Sequence, residues 1–191
     1  MKLNESLEPF KETIYAIQRI LAKFDNRGVI IGGIAASFLG KPRFTEDVDA
    51  VFMLSTEDIS SFLEVAKAEK IVPRIEKVEE FARKTRVLLL IHSPSNKKVD
   101  ISLGVLPFEE EMVERAQVKT VKKLSVRLPT PEDLIIMKAI AHRPKDLEDI
   151  RGVVDAQATL DLKHIELWVK AFGELLETPD LWKQIEEILK R

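Results

Sequence analysis

The segment that most limits what this chain can fold into is VIIGGIAASFLG, residues 29–40. Val29-Ile30-Ile31 is a short β-branched run that predicts a buried strand. Gly32-Gly33 breaks it, and Ile34 to Leu39 predicts a helix closed by Gly40 and Pro42. Two glycines between a strand and a helix let the backbone come close to a ligand, and the helix N-terminus adds unpaired N–H groups and a partial positive charge suited to phosphate. The segment lacks the Lys-Ser/Thr of a P-loop and the third glycine of a dinucleotide fingerprint, so neither of those sites is present. A tight strand-to-helix turn without any ligand accounts for the same residues, so other parts of the chain have to decide.

The next informative stretch is Thr45-Glu46-Asp47-Val48-Asp49-Ala50-Val51. Val48, Ala50 and Phe52 alternate with Asp47, Asp49 and Val51, a strand with one apolar and one partly acidic face. Residues i and i+2 of a strand project from one face with Cα atoms roughly 6–7 Å apart, so Asp47 and Asp49 can converge on one site. Hard divalent cations such as Mg²⁺ select carboxylate oxygens, and two of them roughly 4 Å apart can clamp an in-line phosphoryl displacement. A solvated acidic face is the plainer alternative. An EF-hand is excluded, because Ala50 to Ser55 supply neither its glycine nor its further ligands. A third carboxylate, Asp100, sits between Val99 and Ile101 in the apolar strand KVDISLG, where an unpaired charge is expensive to bury. A metal shared with Asp47 and Asp49 would compensate it, and so would a salt bridge to a nearby cation such as Lys98.

The remaining pattern sets the frame. A helix is predicted near 5–24, another from the Ser55–Asp58 cap to about Lys70, strands near 86–91 and 98–103 joined by a turn at Ser93–Asn96, and an edge at 117–120 and 124–128. From Thr130-Pro131 onward the pattern is helical, near 131–142, 146–157, 161–173 and 179–190. The order is mixed α/β (α+β) to residue 129 and helical over 130–191, which predicts a catalytic half and a helical region that completes its cleft. The helix at 131–142 is apolar almost all round, so its Lys138 should face a cleft. The chain has no cysteine, which fits a reducing cytoplasm and excludes thiolate chemistry, and no apolar run approaches a membrane span. A net charge of −2 gives no global drive toward nucleic acid, yet Arg115, Lys119, Lys122, Lys123, Arg127, Lys138, Arg143 and Lys145 form a basic run opposed only by Glu132 and Asp133. His92 and His164 lack metal-ligand spacing and are expected to be structural or exposed.

A hydrophobic strand ending in Gly32-Gly33, thirteen intervening residues, Asp47-x-Asp49, and a distant Asp100 inside an apolar strand together closely resemble the DNA polymerase β-like nucleotidyltransferase superfamily. The resemblance covers residues 28–150 and implies a nucleotidyltransferase-like mixed sheet with flanking helices. Within the superfamily, GGIAASFLGKPRFTEDVDAVF looks most like the AbiEii/MenT-type nucleotidyltransferase toxins, and PEDLIIMKAIAHRPKDLEDI is similar to their helix-borne Lys and Arg-x-Lys-Asp-like segment. That likeness implies a nucleotide held by Gly32, Gly33, Arg43, Thr45 and Lys138, with Asp146 supporting the site. Many of those toxins carry Ser directly after the glycines; here the residue is Ile34, and Ser37 one turn on is the candidate replacement.

The resemblance implies nucleotidyl transfer: an acceptor hydroxyl attacks the α-phosphate of an NTP and pyrophosphate leaves. Asp47, Asp49 and Asp100 would bind Mg²⁺, with Mn²⁺ as a substitute, and Asp100 would also take the hydroxyl proton. The implied acceptor is RNA, in particular a tRNA 3′ end along the basic run, and the implied partner is a cognate antitoxin. Transfer to a small molecule, as in aminoglycoside-modifying relatives, and nucleotide binding without turnover are the alternatives.

Overall fold

The structure is a computed structural model that describes residues 3–190. The chain opens with α1 (Leu3–Leu7), a 3-10 turn (Glu8–Phe10) and α2 (Lys11–Lys23). The first helix expected from the sequence is thus broken at Pro9, which lacks the N–H that continuous helix needs there. Asp25 and Asn26 then take left-handed conformations, which short polar side chains tolerate, and turn the chain into β1 (Gly28–Ile30).

α3 (Gly32–Leu39), β2 (Asp47–Phe52) and α4 (Ile59–Ala68) follow, then β3 (Ile71–Pro73), α5 (Val78–Thr85), β4 (Val87–His92) and β5 (Lys97–Leu103). The five strands form one mixed sheet in the order β1-β2-β5-β4-β3. β2 and β5 are parallel and every other neighbouring pair is antiparallel. Alternation places Val48, Ala50, Phe52, Val99, Ile101 and Leu103 on a fully covered face, where Phe52 packs edge-on to Phe62 of α4 at 5.0 Å between ring centroids. The opposite face carries Asp47, Asp49 and Asp100, each half-buried.

α6 (Pro107–Glu114) leads to a hairpin of β6 (Gln117–Val121) and β7 (Leu124–Leu128). The sequence suggests an added sheet edge here, but the two strands form a sheet of their own, with β7 packed on β1 and α2. α7 (Pro131–Ala141), α8 (Pro144–Ala156), α9 (Leu162–Leu175) and α10 (Leu181–Leu189) complete the chain, each within a few residues of its expected bounds. The elements without a sequence signal are β3, only three residues long, α5, half of whose residues are charged, and α6. No helix among the described residues is long and apolar enough to cross a membrane.

Candidate active site

β1 ends where the Ile31 amide donates to the Asp49 carbonyl at 2.9 Å. Gly32 then takes φ +65°, a conformation that lets the chain leave the sheet directly into α3. A Cβ on Gly32 would stand 1.9 Å from Asp49 Oδ2, so the carboxylate fills the space a side chain would need. Gly33 has the same relation to Thr45, whose Oγ1 would lie 2.5 Å from an added Cβ. That hydroxyl donates to Asp47 Oδ1 at 3.1 Å. The two glycines therefore admit, one each, the Asp49 carboxylate and the hydroxyl that orients Asp47.

Parallel pairing puts Asp49 directly opposite Asp100. Burial, and then repulsion from Asp47 and Asp100, push the Asp49 carboxyl up to about 6. Asp100 is compensated, but not by Lys98, which is exposed. Arg74, the residue after β3, donates from Nη1 to Asp100 Oδ1 and from Nη2 to Oδ2 at 3.3 Å. Among the described residues neither Asp47 nor Asp49 forms an ion pair, and no group of three or more acidic, His or Cys side chains is disposed to hold a metal ion. The three aspartates expected from sequence thus share one face, while the third is turned to an arginine.

The facing wall comes from α7 and α8. Thr130 caps α7 by accepting from the Asp133 amide at 3.1 Å, and Pro131 supplies a pre-set first turn. Leu134, Ile135, Ile136 and Ala139 anchor the helix in the core, and Lys138 is 6% exposed. Its Nζ donates to Asp146 Oδ1 at 2.8 Å and lies 2.9 Å from Asp149 Oδ2. Arg143 grips Asp146 at 2.6 Å, and Arg43 grips Asp149 at 2.6 and 3.0 Å. Burial alone would raise the Asp146 carboxyl, but hydrogen bonds from Arg143 and Lys138 outweigh it and hold the group at about 2.

Between the walls lies a cleft of about 360 Å³. It brings together Gly32, Gly33, Arg43, Thr45, Asp47, Asp49, Asp100, Lys138 and Asp146. It does not include Ser37, which is 2% exposed and accepts from the Arg43 amide at 3.4 Å. Asp149, Arg74 and Lys145 were not singled out as site residues from the sequence. Asp149 was legible, since Asp146 and Asp149 at i, i+3 share a helix face. Lys145 lines the cleft, exposed and without an ion-pair partner among the described residues. Nothing local marked Arg74, because its partner is 26 residues away.

The basic run does not make one surface. Arg127 is turned inward, donating to the Gly28 and Val113 carbonyls, and Arg115 lies against Asp133 and Glu111. Lys138 and Arg143 belong to the network above, and Lys119, Lys122 and Lys123 stand on the β6–β7 hairpin. His92 and His164 are both buried, His164 bonded to Asp133 at 2.8 Å.

A family model described as nucleotidyltransferase of unknown function (DUF6036) matches residues 7–175. No curated protein matches by sequence. Among solved structures, an antigenic nucleotidyltransferase-like protein from Paracoccidioides brasiliensis is similar with TM-score 0.56 at 17% identity, over 95% of this chain and 94% of that one. The antibiotic-resistance factor ANT(2'')-Ia is similar in its solution structure with TM-score 0.55 at 16% identity, over 86% of this chain and 93% of that one. Its crystal structure with adenylyl-2''-tobramycin gives TM-score 0.55 at 18% identity, over 86% and 98%. At these identities the structural likeness speaks to the fold, a nucleotidyltransferase-like mixed sheet with flanking helices.

Proposed function

The chain belongs to the DUF6036 family of nucleotidyltransferases, and from that premise we propose that it moves a nucleoside monophosphate from an NTP to an acceptor hydroxyl in a magnesium-dependent reaction. The observation that carries this reading is the pairing of two unlike walls across one cleft: Asp47 and Asp49, without ion-pair partners among the described residues, beside Gly32, and Lys138, Arg143 and Lys145 opposite, with Arg43 reaching from beside Gly33 to Asp149. The acidic wall suits hard cations and the basic wall suits a triphosphate. We take residues 1–129 as the catalytic half and 130–191 as the helical region that closes its cleft.

Two carboxylates on one strand face are donors of the kind magnesium takes, with Asp100 beside them turned to Arg74. Asp47 and Asp49 offer carboxylate oxygens with no ion-pair partner among the described residues, and the burial and then the neighbouring negative charge that raise the Asp49 carboxyl are both penalties a divalent ion would relieve. Asp47 and Asp49 would hold the metal, and Asp100 would join them. When bound, Mg²⁺ would offset charge on the phosphate oxygens and polarise the α-phosphate. Manganese would serve in its place.

The protein's own residues supply positioning. Gly32 and Gly33 give up their side-chain space to Asp49 and Thr45 and set the N-terminus of α3, with its unpaired N–H groups, at the cleft where phosphate would lie, and Lys145 is a cleft cation with no ion-pair partner to give up among the described residues. Lys138 and Arg43 shape the same wall while held by Asp146 and Asp149. In the step itself the acceptor oxygen bonds to the α-phosphorus, the bond to the bridging oxygen breaks, pyrophosphate departs, and the hydroxyl proton passes to Asp100.

We read the acceptor as a small polyhydroxylated molecule of the aminoglycoside class. Half of the basic run that would guide an RNA backbone is spent on internal partners, and ANT(2'')-Ia, a neighbour in fold, is seen with an adenylylated aminoglycoside. Transfer to a tRNA 3′ end, with an antitoxin as partner, rests on the sequence resemblance alone.

Incubation with Mg²⁺, each labelled NTP, and either total RNA or a panel of aminoglycosides tests the proposal. Asp49-dependent label on a small molecule is the expected result. A labelled RNA band would reassign the acceptor. Label on neither, with all four NTPs, would sink the transfer reading.

A further inference from the structure

Asp100 is the carboxylate with two roles in the proposed reaction, and it is the one already engaged. Arg74 is fixed on the sheet from two directions: its amide donates to the Leu89 carbonyl at 3.1 Å, and Nη1 donates to the Leu90 carbonyl at 3.2 Å. From that anchorage Nη1 and Nη2 take one oxygen of Asp100 each. The side chains are 22% and 28% exposed, so water screens the pair only in part, and a forked guanidinium–carboxylate contact is among the more directional that proteins make. Meanwhile Asp49 stands opposite Asp100 in the parallel register, and Asp47 shares its face. The three would otherwise be neighbours with no ion-pair partner among the described residues.

We propose that Arg74 is a positioning residue that competes with the divalent cation for Asp100, so that Arg74 sets how tightly the cleft takes its metal. The proposal rests on the magnesium-dependent reading above. Arg74 lends Asp100 a positive charge while the cleft is empty of cation, and the ion has to share or displace that grip before Asp100 completes the set. Arg74 also fixes where the Asp100 oxygens point. Removing its charge makes the cluster more negative by one and frees both oxygens, which strengthens attraction for a divalent ion even at a high effective dielectric.

The direction of that effect is the test, because an arginine that only braces the fold predicts no gain, and one that only aims Asp100 at the metal predicts the opposite sign. Mn²⁺ binding to the full chain is measured by calorimetry for the wild type, R74Q, R74K and D100N. R74Q is expected to bind Mn²⁺ about 3- to 10-fold more tightly. R74K, which keeps the charge but cannot fork onto both oxygens, should fall between R74Q and the wild type. In the double variant with D100N the gain should vanish.

Wild type that binds Mn²⁺ alongside R74Q that binds equally or more weakly overturns the role of Arg74 and leaves the metal-dependent reading standing. Wild type that binds no Mn²⁺ ends both. Should R74Q lose its circular dichroism signal, R74K decides alone: tighter binding than wild type supports the competition, and equal or weaker binding refutes it.

Discussion

Gly32 and Asp49 share one volume: the space a Gly32 side chain would occupy is filled by the Asp49 carboxylate, 1.9 Å from the Cβ position. Gly32→Ala must therefore displace Asp49 and also hold an L-residue at φ +65°. The expected cost is about 1–3 kcal/mol of stability, with a loss of transfer activity of roughly 100-fold or more because Asp49 is moved off its position. Thermal unfolding and kcat/KM on the same preparation check both. Alanine at Gly32 with unchanged kinetics contradicts the proximity argument.

Asp49→Asn should inactivate the enzyme and stabilise the metal-free protein. The Asp49 carboxyl is raised from 3.8 to about 6, so its contribution to stability is fully present below about 3.8 and is lost as pH rises through about 6. The asparagine variant does not titrate and keeps its stability. Above pH 7 it should exceed the metal-free wild type by about 1–3 kcal/mol, the range allowing for solvent screening. Denaturation curves at pH 4 and pH 8 without metal, then with Mg²⁺, provide the comparison. Mg²⁺ should raise the wild-type midpoint at pH 8 and barely move the variant.

Asp146 works in the opposite sense. Held at about 2, it contributes stability that is present above about 3.8 and lost as pH falls through about 2. Acid unfolding of the wild type should have a steep limb in that window, shallower in Asp146→Asn. Truncating the shared cation is harsher, since Lys138→Ala leaves Asp146 and Asp149 buried with one partner fewer and should cost about 3–5 kcal/mol. Urea titrations at pH 7 measure that loss. A cost below 1 kcal/mol would mean the network relaxes onto Arg43 and Arg143.

The hairpin lysines give a separate handle on the acceptor. Replacing Lys119, Lys122 and Lys123 together by Ala should leave the acceptor KM within about twofold for a small molecule, with little dependence on salt. If the acceptor is RNA, the same change weakens binding and flattens the salt dependence of the wild type.

What was legible in the sequence is what local pattern encodes. The Gly32-Gly33 break, the Asp47/Asp49 alternation and the all-round apolar helix bearing Lys138 each sit inside one element, and each occupies its expected place. The partner of Asp100 was not legible, because Arg74 reaches it across β4 from a three-residue strand with no periodicity of its own. Ser37 illustrates the converse: helical spacing put it one turn beyond the glycines, yet that side of α3 faces the core. The basic run misled for a related reason, since proximity in sequence says nothing of which way Arg127 or Arg115 turns.

The mixed sheet also favours one order of assembly. β4 and β5 are joined by a four-residue turn, whereas the parallel β2–β5 pair brings together Asp49 and Asp100 from 51 positions apart. Closing the longer loop costs about 2 kcal/mol more, so the meander of β3, β4 and β5 can form first and β2 docks onto it. Arg74 and Asp100 both belong to that meander. In that order Asp100 gains its counterion before Asp47 and Asp49 arrive, and the three like charges gather with a cation already among them.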